Sequence, residues 1–594
     1  MKLVEPMKSF PNRLRRALQM AKQLKTAHVT LLAIITGFFG GIGAVIFRQM
    51  IQGNNRLFFG IASRFVSSSV GLFVAPILGG LLVGQITSRV AWETKGHGVP
   101  EIIDAVAREH GVIRPRVPFA KVIASSICIG SGGSCGREGP IAQIGAGFGS
   151  ILGVKLHLGE RDLRTLVVAG VAAGIAATFN APLGGILFGI EVILLGRLSP
   201  RSFIPICLAV ITGMSVSTYF LGSTPAFVVP AYHHEHPLEL LFYLLLGLVC
   251  GFVSVGWVRA FYLLEDLFER VPLRNDLKPA LGGAIVGLIA ITGFEEVQGV
   301  GYETIEAVIK NNILVGTLLL LCLFKIVATA CTIGSGGSGG VFAPSLFIGA
   351  TLGGAYGYFV TRLIPEASGG AYAVVAMAAL FAGAARAPLT MIFMTMELTR
   401  DYQLVLPIIA AVAVSYLVSE ALMVENIYTL KLLHRGINLR TMQHKDSLDV
   451  ITVGKAMRGR TEILHFHPED TREYVLKCHT CGEYVYKRYP VLAQDNHHLL
   501  GVVTLGQMLT MIENESFPET IGDIMIKGDM MAVTYAKETL HHALDQLIRY
   551  GVNSLPVLAS KQEPNSEFVG LISRTDILVA LETYISVQAA EETN

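Results

Sequence analysis

Residues 130–140 read GSGGSCGREGP, and residues 334–344 read GSGGSGGVFAP. The two share the framework GSGGS-x-G and a closing proline at an offset of 204 (334 − 130). A second pair, NAPLGGILFGIE from Asn180 and RAPLTMIFMTME from Arg386, sets Pro182 and Pro388 at an offset of 206 (388 − 182). Two independent matches at nearly one offset mark an internal duplication. A glycine-rich loop running into a proline at a helix start leaves the first-turn amides exposed and free of side chains. Those amides have no carbonyl partner within their own helix, and the helix dipole adds about half a positive charge there. The duplication therefore supplies two cradles suited to an anion. Glycine also serves close helix packing in membranes, and each stretch taken alone fits that use equally well. Neither ends in Gly-Lys-Ser/Thr, which excludes a nucleotide P-loop.

Both stretches lie among apolar runs. Mean hydropathy is +0.54 and charged residues make up 15% of the 594, against about 25% in soluble domains. Val29–Ile46, Phe65–Ile86, Leu238–Val255, Ile313–Thr332 and Leu404–Met423 approach or reach the length of a spanning helix. Other apolar pieces are shorter and broken by Gly and Pro. Irregular backbone at membrane depth survives only where protein or an aqueous cavity surrounds it, so broken helices point to a transporter or channel. Lys8, Arg13, Arg15, Arg16, Lys22 and Lys25 precede the first span and predict a cytoplasmic N-terminus. No cleaved signal peptide is expected. The net charge of +2 says little about partners, and no nucleic-acid partner is expected. Six of the eight cysteines, Cys128, Cys135, Cys207, Cys250, Cys322 and Cys331, lie in or beside apolar runs, so no disulfide framework is expected. No nucleophile–base set appears, which argues against an enzyme.

Composition shifts near Asn438. Residues 1–27 read as an amphipathic cytoplasmic segment, 28–440 as the membrane domain with repeats at about 28–225 and 238–425, and 441–594 as a soluble α/β domain. The soluble part repeats too, at about 453–512 and 521–581. Each unit opens on Gly-x-x-Met (Gly454, Met457; Gly522, Met525) and carries a Pro-Val-Leu strand start at Pro490 and Pro556. This resembles a pair of CBS domains. The resemblance implies a possible adenine nucleotide at Thr504, Ser573, Thr575 and Asp576, with Gln507 where the first unit would need its aspartate. The alternative is a dimerising scaffold without ligand.

Beside the first cradle stand Arg137 and Glu138. An ionisable group at membrane depth is functional by default. The bland reading is a salt bridge, although adjacent side chains at a helix start tend to diverge. A carboxylate beside an anion site can occupy that site as a tethered anion and leave it on protonation. Here the membrane domain resembles the CLC family of chloride channels and chloride/proton antiporters over nearly its whole length, with GREGP at 136–140, GGVFAP at 339–344 and YTLKLLHRG at 428–436. The resemblance implies an α-helical polytopic fold with two inverted repeats, plus the cytoplasmic CBS pair. It makes Glu138 the gate. It places chloride against the amides of Val341 and Phe342, near Tyr428, with His97, Gly98, Arg137 and Gly139 around the path. It further implies a homodimer in a cell (inner) membrane with both termini cytoplasmic.

Two departures stand out. The family's Gly-Ser-Gly-Ile-Pro reads GHGVP at 96–100, so His97 replaces a hydroxyl donor. Either a neutral imidazole keeps one N–H for the anion or the side chain turns away and only amides remain. A histidine, which titrates at about pH 6.5 when unperturbed, also opens the questions of pH sensitivity and anion preference. The coupled antiporters commonly carry two consecutive glutamates where this chain has Glu191 and Val192. Valine carries no proton, which favours channel-like chloride conduction, with chloride/proton exchange as the alternative. A membrane-anchored CBS sensor and a cation transporter are remoter rivals, and acids within the spans are too few for the latter. His465, His467, Cys478 and Cys481 are zinc-ligand types at unusual intervals. No metal is expected there or at YHHEHP, residues 232–237.

Overall fold

The computed structural model describes residues 12–65, 68–196, 199–222, 238–439, 448, 451–480, 487–514, 516–528, 531–561 and 566–591, and their side chains except those of 12–26, 61–65, 68 and 585–591. The chain divides into two units, Met1–Ile437 and Asn438–Asn594.

Helices of the first unit fall into two series. The first holds α1 (Asn12–Phe65), α2 (Ser68–Arg89), α3 (Val99–Ala107), α4 (Arg116–Gly130), α5 (Glu138–Lys155), α6 (Glu160–Phe179), α7 (Pro182–Phe188) and α8 (Pro200–Leu221). The second holds α9 (Glu239–Arg270), α10 (Lys278–Ile291), α11 (Tyr302–Ile309), α12 (Val315–Gly334), α13 (Phe342–Leu363), α14 (Gly369–Ala385), α15 (Pro388–Thr399) and α16 (Val405–Leu422). A last short helix, α17, spans Thr429–His434. Helix α1 runs unbroken across residue 27, where the sequence suggested a division.

Reciprocal contacts relate the series by a two-fold axis, since such an axis makes every contact between the copies occur twice. Gly136 and Gly340 are equivalent residues, and each donates its N–H to the other's carbonyl, at 2.7 and 2.6 Å. The axis therefore passes between them. The last serine of each GSGGS stretch reaches the long helix of the opposite copy. Ser134 Oγ meets Thr329 Oγ1 at 3.0 Å, and Ser338 Oγ meets Ser125 Oγ at 2.8 Å.

Seven helices among the described residues are long and apolar enough to cross a membrane. Five contain or overlap the stretches read from hydropathy. The other two are α6 and α8. Helix α6, ERDLRTLVVAGVAAGIAATF, opens on charges and is then built of alanine, glycine and valine. It is buried along most of its length, so protein rather than lipid covers it.

The second unit contains β1 (Arg458–Gly459), β2 (Arg488–Leu492), β3 (Leu499–Thr504), β4 (Thr534–Tyr535), β5 (Ser554–Leu558) and β6 (Phe568–Ser573). They form one sheet of order β1-β6-β5-β4 and an antiparallel pair β2-β3. The two repeated units exchange their leading segments. Val453, which opens the first, packs with Leu540, Val557 and Ile572 of the second. Ile521 and Ile524, which open the second, pack with Phe466, Val491 and Met508 of the first. Gly-x-x-Met is thus a lead-in to the neighbouring core.

Candidate anion site and gate

Three loops meet beside the axis of the first unit, and α3, α5 and α13 start from them. Backbone bonds tie the loops together. Besides the Gly136–Gly340 exchange, Gly96 N donates to Gly337 O at 2.8 Å and Gly339 N to Gly96 O at 3.3 Å. Ser338 Oγ donates to Thr94 O at 2.7 Å. The glycines are needed where the loops touch. A Cβ on Gly139 would lie 2.2 Å from His97 O. Gly98, the cap residue of α3, holds φ at +83°, which favours glycine. The first-turn amides of α3, α5 and α13 thus open beside one another, with the Glu138 side chain reaching from α5 to α13.

Val341 caps α13 and Phe342 opens it, both buried. The Phe342 ring lies among Phe381, Phe179 and Phe188, with centroids at 4.2, 5.1 and 6.3 Å. These rings compete for no hydrogen bond, so the amides are left for an anion. Tyr428 is buried and fixed through its backbone, because Asn426 Oδ1 accepts from the N–H groups of both Tyr428 and Thr429 at 2.8 Å. Its ring lies 5.6 Å from that of His97.

His97 is completely buried, and neither ring nitrogen has a hydrogen-bond partner among the described residues. Buried polar atoms are normally satisfied, so two imidazole nitrogens without a protein partner beside Tyr428 fit a polar contact to a bound anion. Lys121, Lys431 and Arg435 are the cations that act electrostatically on the imidazole. Lys431 pairs with Glu265 at 3.3 Å and Arg435 with Glu101 at 2.9 Å. Lys121 is paired with carbonyls instead, donating to Thr94 O and Gly96 O at 3.0 and 2.9 Å. With Lys431 and Arg435 offset by their carboxylates, Lys121 is the member of the cluster whose charge is held by carbonyls at these loops.

Glu138 is buried at the start of α5. Its Oε2 accepts from Ala343 N in the first turn of α13 at 3.3 Å, and its Oε1 accepts from the Tyr302 hydroxyl. The carboxylate therefore sits where a free anion would bind the α13 amides. The side chains of Arg137 and Glu138 do not diverge as expected of adjacent residues, because Tyr302 draws both in. The Arg137 guanidinium stands 4.9 Å over the Tyr302 ring, and its Nε is 3.9 Å from Glu138 Oε1. Sequence reasoning missed Ala343 and Tyr302. A third repeat match, G-H-G at 96–98 against G-V-G at 299–301, leads to Tyr302, since Gly98 and Gly301 cap α3 and α11 with φ of +83° and +87°.

Glu191 stands apart from the anion loops. It accepts from Leu389 N at 3.0 Å and from Thr390 N and Oγ1 at 2.6 Å each, which closes the N-terminus of α15. Glu397 accepts from Leu183 N and Gly184 N at 2.9 Å and closes α7. The neighbouring Val192 is buried.

In the second unit, Thr504 and Gln507 form a reciprocal capping box at the helix Leu505–Glu513. Ser573 and Asp576 repeat it, with Asp576 Oδ2 accepting from Ser573 N and Oγ at 2.9 and 2.6 Å. Arg458 Nε donates to Asp576 Oδ1 at 3.0 Å, and Thr575 is exposed. His465 and His467 turn Nδ1 to the carbonyls of Ile463 and Leu492, each at 3.2 Å. No cluster of three potential metal ligands occurs among the described residues. Cys481 and residues 232–237 lie outside them.

Residues 79–420 match the family model described as voltage gated chloride channel, and residues 521–583 match the CBS domain model. A ClcB-like chloride channel protein of Ralstonia nicotianae is 32% identical over 409 residues, covering 67% of this chain and 95% of its own. An H(+)/Cl(−) exchange transporter, ClcA, of Salmonella arizonae is 34% identical over 395 residues, covering 64% and 83%. Among solved structures, a slow cyanobacterial Cl−/H+ antiporter matches with a TM-score of 0.63 at 25% identity, covering 70% of this chain and 98% of its own. The chain is thus a multi-pass membrane protein belonging to the voltage gated chloride channel (CLC) family, with a CBS domain near its C-terminus.

Proposed function

We propose that this protein exchanges chloride for protons, with Glu138 as both gate and proton carrier. The observation that carries the reading is the seat of the Glu138 carboxylate on Ala343 N. A group held there by charge competes with a permeant anion, and a proton that neutralises it frees the seat. One side chain then handles both ions in turn. Chloride sits between the amides of Val341 and Phe342, near Tyr428 and Gly98, with a neutral His97 giving the N–H that a serine would otherwise supply. Arg137 and Gly139 line the path outside it. The relatives named as exchangers favour coupling over the conduction that Val192 suggested.

The second reading, uncoupled conduction, rests on the buried Val192 beside an engaged Glu191, which leaves no carboxylate free there to relay protons. Recording the reversal potential of the purified protein under a chloride gradient with an imposed pH step separates the two. Exchange requires the potential to move with the pH step, and Glu138→Gln must abolish that movement while chloride still flows. A potential fixed at the chloride equilibrium value sinks the exchange reading. No flux at all would return the protein to the role of an anchored sensor.

The protein works as a homodimer in an inner membrane, with both termini in the cytoplasm. In its soluble unit an adenine nucleotide reaching Asp576 has to displace Arg458. Titrating ATP into the full-length protein and into Asp576→Ala tests that site, and equal heats in both would exclude it.

A further inference from the structure

We infer that Tyr302 is the latch of the gate: its hydroxyl holds the ionised Glu138 carboxylate in the anion seat and so limits how often the seat opens. The inference rests on the reading of Glu138 as gate and adds a residue that reading does not contain.

The carboxylate has two oxygens and two different anchors. Oε2 takes the Ala343 amide in the first turn of α13, next to the Val341 and Phe342 amides proposed to hold the anion. Oε1 takes the Tyr302 hydroxyl, a donor from another helix. An arriving anion crowds the first contact, while the second adds a hold on the carboxylate from outside α13. Tyr302 thus favours the gate over the ion, and a hydroxyl donating to an ionised oxygen is among the stronger uncharged–charged hydrogen bonds.

The tyrosine is built to stay in place. It opens α11 directly after the left-handed cap Gly301. The loop before it is pinned by the buried Lys325, whose Nζ donates to Val297 O and Gly299 O at 2.9 and 3.0 Å. Gln298 Nε2 adds a bond to Leu72 O at 2.8 Å. The Arg137 guanidinium lies over one face of the ring, and Phe179 is 6.5 Å away. A hydroxyl on so fixed a ring acts as a stationary donor, and the gate must leave it to open. Tyr302 also lines a cavity of about 470 Å³ together with Arg48, Arg137, Gln298, Glu296 and Glu303.

Tyr302→Phe removes one oxygen and keeps the ring. Loss of a hydrogen bond to a charged group is expected to raise chloride efflux from liposomes about tenfold at neutral pH. The same substitution in a Glu138→Ala background should change nothing, because no carboxylate remains to be held. Tyr302→His, which returns a ring donor, should bring the rate back towards wild type, and it provides a second variant if Tyr302→Phe does not fold. A Tyr302→Phe rate equal to or below wild type would overturn the latch, as would a rise that persists in the Glu138→Ala background. Failure of the gate reading itself looks different: Glu138→Ala alone would then leave flux and its pH dependence as in the wild type.

Discussion

Lys121 and Lys325 perform the same task in opposite copies of the repeat. Each buries an ammonium and spends it on two carbonyls of the loop that leads into a G-x-G helix start, Thr94 and Gly96 for Lys121, Val297 and Gly299 for Lys325. One loop delivers His97 and the other delivers Tyr302. The expected outcomes of removing the ammonium therefore differ. Lys121→Met should weaken chloride binding, and Lys325→Met should leave binding intact and loosen the gate. Each leaves two carbonyls bare and should cost about 2 kcal/mol of stability. Chloride titration calorimetry and thermal unfolding of the two variants check this, and identical effects on binding would refute the division of labour.

Glu191 acts as a helix cap in this structure. Its three donors are all on α15, and Glu397 makes the matching contact to α7. Glu191→Gln should thus lower the unfolding temperature, as a loss of about 1–3 kcal/mol would. It should leave the proton-to-chloride ratio unchanged. Glu397→Gln should do the same. Loss of proton coupling in Glu191→Gln, with an unchanged melting curve, would make Glu191 a proton carrier instead.

The bare nitrogens of His97 predict a measurable share of the anion's binding energy. His97→Ala should weaken chloride binding by about 1 kcal/mol, or roughly fivefold in Kd. His97→Ser, which restores a hydroxyl, should recover most of it. Unchanged affinity in His97→Ala would mean that the ring points a lone pair, not an N–H, at the ion.

Gly139 has no room for a methyl group, since its Cβ would meet the backbone oxygen of His97 at 2.2 Å and Gly340 Cα at 3.2 Å. The loops cannot yield separately, because they are bonded to one another. Gly139→Ala should therefore abolish chloride flux in protein that still reaches the membrane. Wild-type flux would show that the loops part more easily than their hydrogen bonds imply.

One acid-side prediction concerns the soluble unit. The turn before β3 holds Asp495 at a pKa of about 2, first through the N–H of His497 and then through the side chain of His498. A carboxylate lowered by folding stabilises the folded state above its unfolded value, about 3.9, and that contribution disappears as pH falls through the folded value. The window is thus roughly pH 4 to 2. The group is exposed, so salt should weaken the effect. Carbonyl chemical shifts of labelled Asp495 should show a midpoint near 2, and one near 4 would contradict the geometry.

The sequence made the anion loops legible because their chemistry is local. A cradle of amides requires glycine, glycine repeats visibly, and the duplication displays it twice. Val341, Phe342, Tyr428 and Glu138 were singled out through motifs a few residues long and the family resemblance those motifs carry. Tyr302 did not, because its repeat match retains only the two glycines and its partner lies 164 residues away. Helix α6 escaped notice because a helix surrounded by protein is made of alanine and glycine, whose hydropathy is modest. The divergence expected of Arg137 and Glu138 failed for a related reason: neighbours that part on an isolated helix are gathered again by a third side chain from elsewhere.

The crossed caps of Glu191 and Glu397 carry a consequence for biosynthesis. When the ribosome has released residues up to Leu221, the amides of Leu183 and Gly184 have not yet met their carboxylate, which lies in codons still to be translated. The early half thus waits in the bilayer with an open helix end, and the late half arrives with another. Docking closes both ends at once. A nascent chain interrupted between the copies holds a half that cannot complete itself, and its bare amides distinguish an unfinished molecule from a finished one.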